Sequence, residues 1–308
     1  MTTAIISHDD CLAHEPGAYH PECPGRLEAV LKELHREEYA DLHWHEARLG
    51  QKEDILRAHD QNHYDYIVQN APGQGNFSLD GDTVMSSGTL RAALLAVGAA
   101  CLAVDLVMTG KADNAFCATR PPGHHAEPAR PMGFCLFNNI AIAALYAREK
   151  YGCQRPAILD FDVHHGNGSQ AVCVKDPDLF YGSSHQSPLY PGTGGAHDRA
   201  AGTLVNVPLA GGASSREFQD AYRDVILPAL REFKPDFVFI SAGFDAHALD
   251  PLAGLNVQED DYGQITTDIV THARDLCEGR VISVLEGGYN LSVLGQSVGS
   301  HVKALMQG

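Results

Sequence analysis

The 308-residue chain is 44% apolar and 20% charged, enough to bury a large core as one α/β domain or two smaller ones. A net charge of -17 excludes the basic footprint of non-specific DNA or RNA binding, and suits either simple solubility or a cationic substrate or partner. No run of 18 apolar residues argues for a membrane span, and MTTAIISHDD lacks the basic start and apolar centre of a secretory signal. A cytoplasmic location is therefore expected. In chain order, TAIIS (3–7), NAFCA (114–118), PAILDFD (156–162), DLFYGSS (178–184), TLVNVPL (203–209), DFVFISAGF (236–244) and RVISVLEGG (280–288) are predicted strands. Amphipathic stretches at 26–38, 87–108 and 215–233 are predicted helices between them. Near-continuous apolar strands alternating with helices predict a single α/β domain with a parallel sheet covered on both faces.

Eight scattered cysteines with no C-x-x-C pair predict reduced, mostly buried thiols and exclude a zinc ribbon. GQSVG (295–299) matches a serine-hydrolase elbow, but Leu291, Leu294, Val298, Val302 and Leu305 follow helical spacing through it. Ser297 is thus expected inside a helix. The H-x-E of His125–Glu127 lacks the P-C-x-x-C of a zinc deaminase. His59 and His63, four apart, are expected on a solvated helix face.

Ligands of open parallel sheets gather beyond the carboxyl ends of the strands. Four polar clusters fall there: RPPGHHAEPARPMGF (120–134), DFDVHH (160–165), SAGFDAH (241–247) and EGGY (286–289). Asp162 and His164, two apart at a strand end, project to one side and can chelate one ion. A catalytic zinc takes three protein ligands, and Asp245 is the natural third. Hydrolysis also needs a proton shuttle and a donor to the developing oxyanion. His124 and His125 can supply the first, oriented by Asp160 and Asn167, and the Tyr289 hydroxyl can supply the second. His165 is left as a supporting or packing residue.

RPPGHHA, GFCLFNN, DFDVHHGNG, LYPGTG, SAGFDAH with DPLAG, and EGGYN, in this order, resemble the zinc-dependent histone deacetylases. The likeness is to class II and its bacterial relatives, including the acetylpolyamine amidohydrolases. It implies the arginase/deacetylase fold, an eight-stranded parallel sheet with helices on both faces, and one catalytic domain over 1–308. It also implies Asp162, His164 and Asp245 as zinc ligands, His125 as general base and then acid, and His124 as its electrostatic partner held by Asp160. Tyr289 would polarise the acetyl carbonyl. Phe134 and Tyr190 would line the acetyl-lysine tunnel, Gly133 would give it room and a backbone acceptor, and Leu252 would form part of the rim. Arg26 would border an inner channel for acetate. Potassium is implied beside Asp160, using the carbonyls of Asp162 and His164 and the Ser183–Ser184 region. Asn167, where class I enzymes carry aspartate, points to class II.

The resemblance leaves the substrate open between acetyl-lysine in a peptide and an acetylpolyamine. Leu252 stands where a polyamine-selective branch carries glutamate, whereas PEC (21–23) partly matches that branch's narrowing motif, and Asp80 or Asp82 could contact substrate. A binuclear arginase-type site would need further bridging carboxylates, yet Gly166 and Gly243 stand at the flanking positions. A non-catalytic acetyl-lysine reader would not need the full set of ligands, base and tyrosine.

Overall fold

The computed structural model describes residues 1–198 and 203–308. Its strands are β1 (Thr3–Ser7), β2 (His43–Glu46), β3 (Asn76–Ser78), β4 (Val84–Ser86), β5 (Asn114–Cys117), β6 (Pro156–Asp160), β7 (Phe180–Gln186), β8 (Leu204–Leu209), β9 (Phe237–Ala242) and β10 (Val281–Leu285). Eight of them form one sheet in the order β2-β1-β5-β10-β9-β6-β7-β8, and every pairing in it is parallel. β3 and β4 form a separate antiparallel hairpin. All seven runs predicted as strands are strands. The eighth, β2, has no apolar run to reveal it: HWHE lies at the sheet edge with three of its four residues exposed, held by pairing with β1.

The helices are α1 (Pro24–Leu34), α2 (Lys52–Ile55), α3 (Gln61–Gln69), α4 (Thr89–Met108), α5 (Asn139–Tyr151), α6 (Asn167–Cys173), α7 (Ser215–Asp220), α8 (Leu227–Phe233), α9 (Glu259–Cys277) and α10 (Leu291–Gln307). α4 and α5 pack together, as do α1, α9 and α10, giving helices on both faces of the sheet. Central strands such as PAILD and VISVL are wholly buried, and their side chains join one contiguous core with those of the helices. Each buried Val, Leu, Ile or Phe contributes about 1.5–3 kcal/mol. α4 is long and apolar enough to cross a membrane, with a mean hydropathy of 2.0, but 72% of that window is buried inside the fold.

Two local departures matter for the site. The helix predicted over 215–233 is interrupted between α7 and α8 by π-helical turns at Ala221–Ile226. That widening places the Tyr222 hydroxyl under the end of β6, where it donates to the Asp160 carbonyl at 2.9 Å. Ser297 lies buried within α10, as its spacing predicts.

Candidate active site

β5, β10, β9 and β6 are consecutive neighbours in the sheet, and their registers bring the ends of all four to one level. The four loops rich in unusual chemistry follow these four strands, so sequence segments up to about 160 residues apart meet at one edge.

The loop after β6 carries Asp162 and His164, and the loop after β9 carries Asp245. Their ligand atoms all lie within 4.8 Å of one another and all three residues are buried. His164 Nδ1 faces Asp162 Oδ1 at 3.2 Å and Asp245 Oδ2 at 3.0 Å. The remaining carboxylate positions are set by backbone donors: His164 N–H to Asp162 Oδ1, Gly287 N–H to Asp162 Oδ2, and Val163 N–H to Asp245 Oδ1. The glycines of SAG and EGG permit this crowding, since a Cβ at Gly243 would collide with the Asp162 carboxylate and one at Gly287 with that of Asp245. One nitrogen and two oxygens converging from buried residues are a donor set for a single divalent ion. No second such group exists among the described residues.

Electrostatics mark the same point. Burial, and then the Asp162 charge, push Asp245 up to about 7. Against the effect of burial, hydrogen bonds and charge from Asp162 and Asp245 push His164 up to about 10. Glu286, buried with its carboxylate accepting from Gly123 N–H at 2.6 Å and His124 N–H at 3.1 Å, is pushed up to about 7 by burial. Among the described residues, the four buried carboxylates here, Asp160, Asp162, Asp245 and Glu286, form no lysine or arginine ion pair, an excess of negative charge that a cation could offset.

His124 and His125 sit beside the cluster and differ in charge. His124 Nδ1 pairs with Asp160 Oδ2 at 3.1 Å. Burial alone would depress its pKa, but Asp162 and Asp160 hold it well above the usual imidazole value. His125 Nδ1 meets Asn167 Oδ1 at 2.9 Å. Burial, His124 and His164 hold His125 well below the usual value, so it stays neutral. Two adjacent imidazoles thus carry opposed pKa shifts, the pattern expected of groups with different acid/base roles.

Above them opens a pocket of about 230 Å³ lined by Asp82, His125, Gly133, Phe134, His164, Leu189, Tyr190, Leu252 and Tyr289. Gly133 has φ +57, and a Cβ there would stand 2.5 Å from the His125 ring. Phe134 meets Tyr289 edge-on at 5.8 Å, and Tyr190 meets His125 edge-on at 5.1 Å. The Tyr289 backbone is held by Asp250 at 2.7 Å, and burial keeps its phenol pKa well above the usual value, hence a donor.

A histone deacetylase domain profile matches residues 20–305. The chain belongs to the histone deacetylase family. It is 38% identical to Histone deacetylase 14, chloroplastic, of Arabidopsis thaliana, over 98% of this chain and 76% of that one. It is also 38% identical to the Histone deacetylase-like amidohydrolase of Pseudomonas aeruginosa, over 94% of this chain and 82% of that one. The crystal structure of the HDA15 HD domain superposes with a TM-score of 0.93 at 35% identity, covering 99% of this chain and 88% of that chain. The protein is thus a family hydrolase with the arginase/deacetylase fold.

Around this site some residues lie where the sequence implies and others do not. His59 and His63 are not on a solvated face: they are 4% and 2% exposed and stack at 4.4 Å. His59 receives Asn138 N–H and contacts the Glu127 carbonyl, while His63 Nε2 donates to the Leu136 carbonyl, so both support the 120–138 loop. The PEC segment does not narrow the pocket. Glu22 is buried and paired with Arg26, Arg120 and His14. Arg26 is buried too, donating to the Gly288 and Glu286 carbonyls at 2.5 Å each and lying 4.8 Å over the Tyr289 ring. Asp82 lines the pocket, whereas the Asp80 carboxylate turns back to Asp82 N–H and Thr83 N–H. His165 is a supporting residue, joined to Thr193 and Gln170 at 2.7 Å.

At the implied potassium position, Ser184 is buried with its hydroxyl facing the Tyr222 phenol. The Ser183 side chain is taken by His185 Nδ1 at 2.9 Å, and Asp160 Oδ2 also accepts from Tyr181 at 3.0 Å. Two buried carboxylates that hold site backbone, and that the sequence did not single out individually, are Glu286 and Asp250. Both lay inside motifs already singled out, EGGY and DPLAG.

Proposed function

We propose that this protein is a zinc-dependent deacetylase, one catalytic domain over 1–308, that hydrolyses the N-acetyl amide of a primary amine, foremost acetyl-lysine in a peptide. The observation that carries the reading is the convergence of Asp162, His164 and Asp245 with a cationic His124, a neutral His125 and a protonated Tyr289 at the foot of one slender pocket. When bound by the triad, zinc supplies Lewis-acid polarisation of the amide and acidifies a water.

The chain's own residues do the rest. Phe134 and Tyr190 hold the aliphatic stem, with Gly133 giving room and Leu252 at the rim. His125 Nε2 takes the proton of the attacking water while Asn167 holds Nδ1–H. The new C–O bond forms as the carbonyl electrons move onto oxygen, where the Tyr289 hydroxyl donates to the growing charge. His124, kept charged by Asp160, offsets that charge from beside the pocket. Collapse breaks the C–N bond, His125 returns its proton to the leaving amine, and acetate remains. Potassium, held by Asp160 with Ser184 and the Ser183 region, would brace the loop that presents Asp162.

An acetylpolyamine is the second substrate reading, favoured by the acidic Asp82 in the pocket wall, but Leu252 and the buried Glu22 remove two other supports for it. The cytoplasmic location expected from the sequence stands as part of this proposal, and the chloroplast in the Arabidopsis relative's name is the alternative that fractionation would distinguish. Turnover of an acetyl-lysine peptide, an acetylpolyamine and trifluoroacetyl-lysine should rank the peptide above the polyamine, with one zinc per chain. His125→Ala should abolish acetate release, and Tyr289→Phe should lower kcat by about 100- to 1,000-fold. Two metals per chain, or full activity in both variants, would overturn the reading.

A further inference from the structure

His125 works as a base at Nε2 only if its other nitrogen, Nδ1, carries the hydrogen. What fixes that tautomer is not Asn167 by itself. A side-chain amide has a carbonyl oxygen and an NH2 group of similar shape, and either end can face an imidazole. With its oxygen toward Nδ1, Asn167 selects the productive tautomer; turned over, it would donate to Nδ1 and select the opposite one.

The structure shows what settles the choice. Asn167 Nδ2 donates to Glu127 Oε1 at 2.7 Å and also lies 3.3 Å from the Met132 sulfur. Neither atom can donate in return. Reversing the amide would set its carbonyl oxygen against a carboxylate oxygen and a thioether, while Asn167 itself is only 7% exposed and has no other partners to adopt. Glu127 is also held in place: its N–H donates to the Arg130 carbonyl at 2.9 Å, and its carbonyl contacts His59 Nδ1 at 3.0 Å. The otherwise unused glutamate of the H-x-E triplet thereby ends a relay that runs Glu127, Asn167, His125.

We propose that Glu127 is a positioning residue that locks the Asn167 amide and so holds His125 as its Nδ1–H tautomer, with Nε2 bare for the water proton. This rests on His125 being the base. Glutamine at 127 keeps size and hydrogen bonding but presents an NH2 group as readily as an oxygen, so it no longer dictates which way Asn167 points. A carboxylate at 167 would accept from Nδ1–H unaided. It needs no acceptor behind it, and it would repel the one that is there.

Two readouts test this on the zinc-loaded protein. Nitrogen-15 NMR of labelled histidines should show His125 as the Nδ1–H tautomer in the wild type and as a mixture in Glu127→Gln. In acetyl-lysine turnover, Glu127→Gln should lower kcat by about 10- to 100-fold at unchanged KM and unchanged melting temperature. Asn167→Asp should be impaired as well. The double variant Glu127→Gln/Asn167→Asp should recover to near wild-type kcat, a reciprocal rescue that a purely structural glutamate would not give. A wild-type His125 found as the Nε2–H tautomer overturns the proposal, as does a double variant whose losses simply multiply. His125→Ala separates the two levels of failure. If it retains turnover, the assignment of the base falls; if it is inactive while Glu127→Gln matches the wild type in kcat and tautomer, only the role of Glu127 falls.

Discussion

Two clusters of buried charge meet at the EGGY loop of this fold, and their electrostatics are opposite. In one, a single carboxylate, Glu22, is surrounded by Arg26, Arg120 and His14, so positive charge is left over. Burial would raise the pKa of Glu22, but Arg120 and His14 drive it far below the usual carboxylate range. In the other, the carboxylates of Asp160, Asp162, Asp245 and Glu286 outnumber the imidazoles of His124 and His164 that pair with them, and Asp245 and Glu286 are pushed up to about 7. The first cluster is a clamp: Arg26 grips the Glu286 and Gly288 carbonyls and underlies Tyr289. The second offers one nitrogen and two carboxylate oxygens close enough to hold a cation. Burial alone therefore does not mark a functional site; the sign left over after pairing does.

That contrast can be broken by substitution. The largest effect is expected from Asp245→Asn, which removes a ligand charge: kcat/KM should fall by at least about 1,000-fold, the scale of a lost Lewis-acid contribution of several kcal/mol. Acetate release with zinc content measured alongside checks it. Glu22→Gln should instead act on folding, leaving two buried guanidinium groups short of a counter-charge and removing about 3–5 kcal/mol from stability in denaturant unfolding. Equal unfolding midpoints for Glu22→Gln and wild type would show that the clamp is not held by charge.

A finer test uses chelator-treated protein. There Asp245→Asn should stabilise the fold at pH 8 by about 1–3 kcal/mol, because each pKa unit of strain is worth about 1.4 kcal/mol. The same kind of change thus stabilises one cluster and destabilises the other.

A companion readout is the pH profile of that chelated protein. Asp245 and Glu286 rise from their usual 3.8 and 4.5 to about 7 on folding, so between those values the native chain holds protons that the unfolded chain has released. Stability from these groups falls as pH climbs from about 4 to about 7. His164, raised from 6.5 to about 10, acts in the same direction: its contribution is full below 6.5 and fades as pH rises through about 10. Glu22 acts in reverse, contributing fully above 4.5 and losing its share only in strong acid. Zinc should flatten the first trend and leave the second. A chelated protein more stable at pH 8 than at pH 5.5 would contradict this.

Much of this was legible in the amino-acid order because it is written at short range. Seven strands announce themselves as apolar runs bounded by polar loops. Asp162 and His164 are two residues apart, and His124 and His125 are adjacent. Each motif falls just past the end of a strand, where a parallel sheet collects its ligands. β2 stayed hidden because an exposed edge strand needs no apolar pattern.

What only the folded chain decided is pairing across distance. Glu22 and Arg120 are 98 positions apart, and nothing in PEC or RPPGHHA indicates that they neutralise one another. His59 and His63 looked like an exposed helical pair and proved to be buried props for the active-site loop. Local spacing specifies which donors can reach one ion, because backbone geometry fixes those vectors within a few residues. The balance of a buried charge depends on every chain segment brought around it, and that sum exists only once the sheet has assembled.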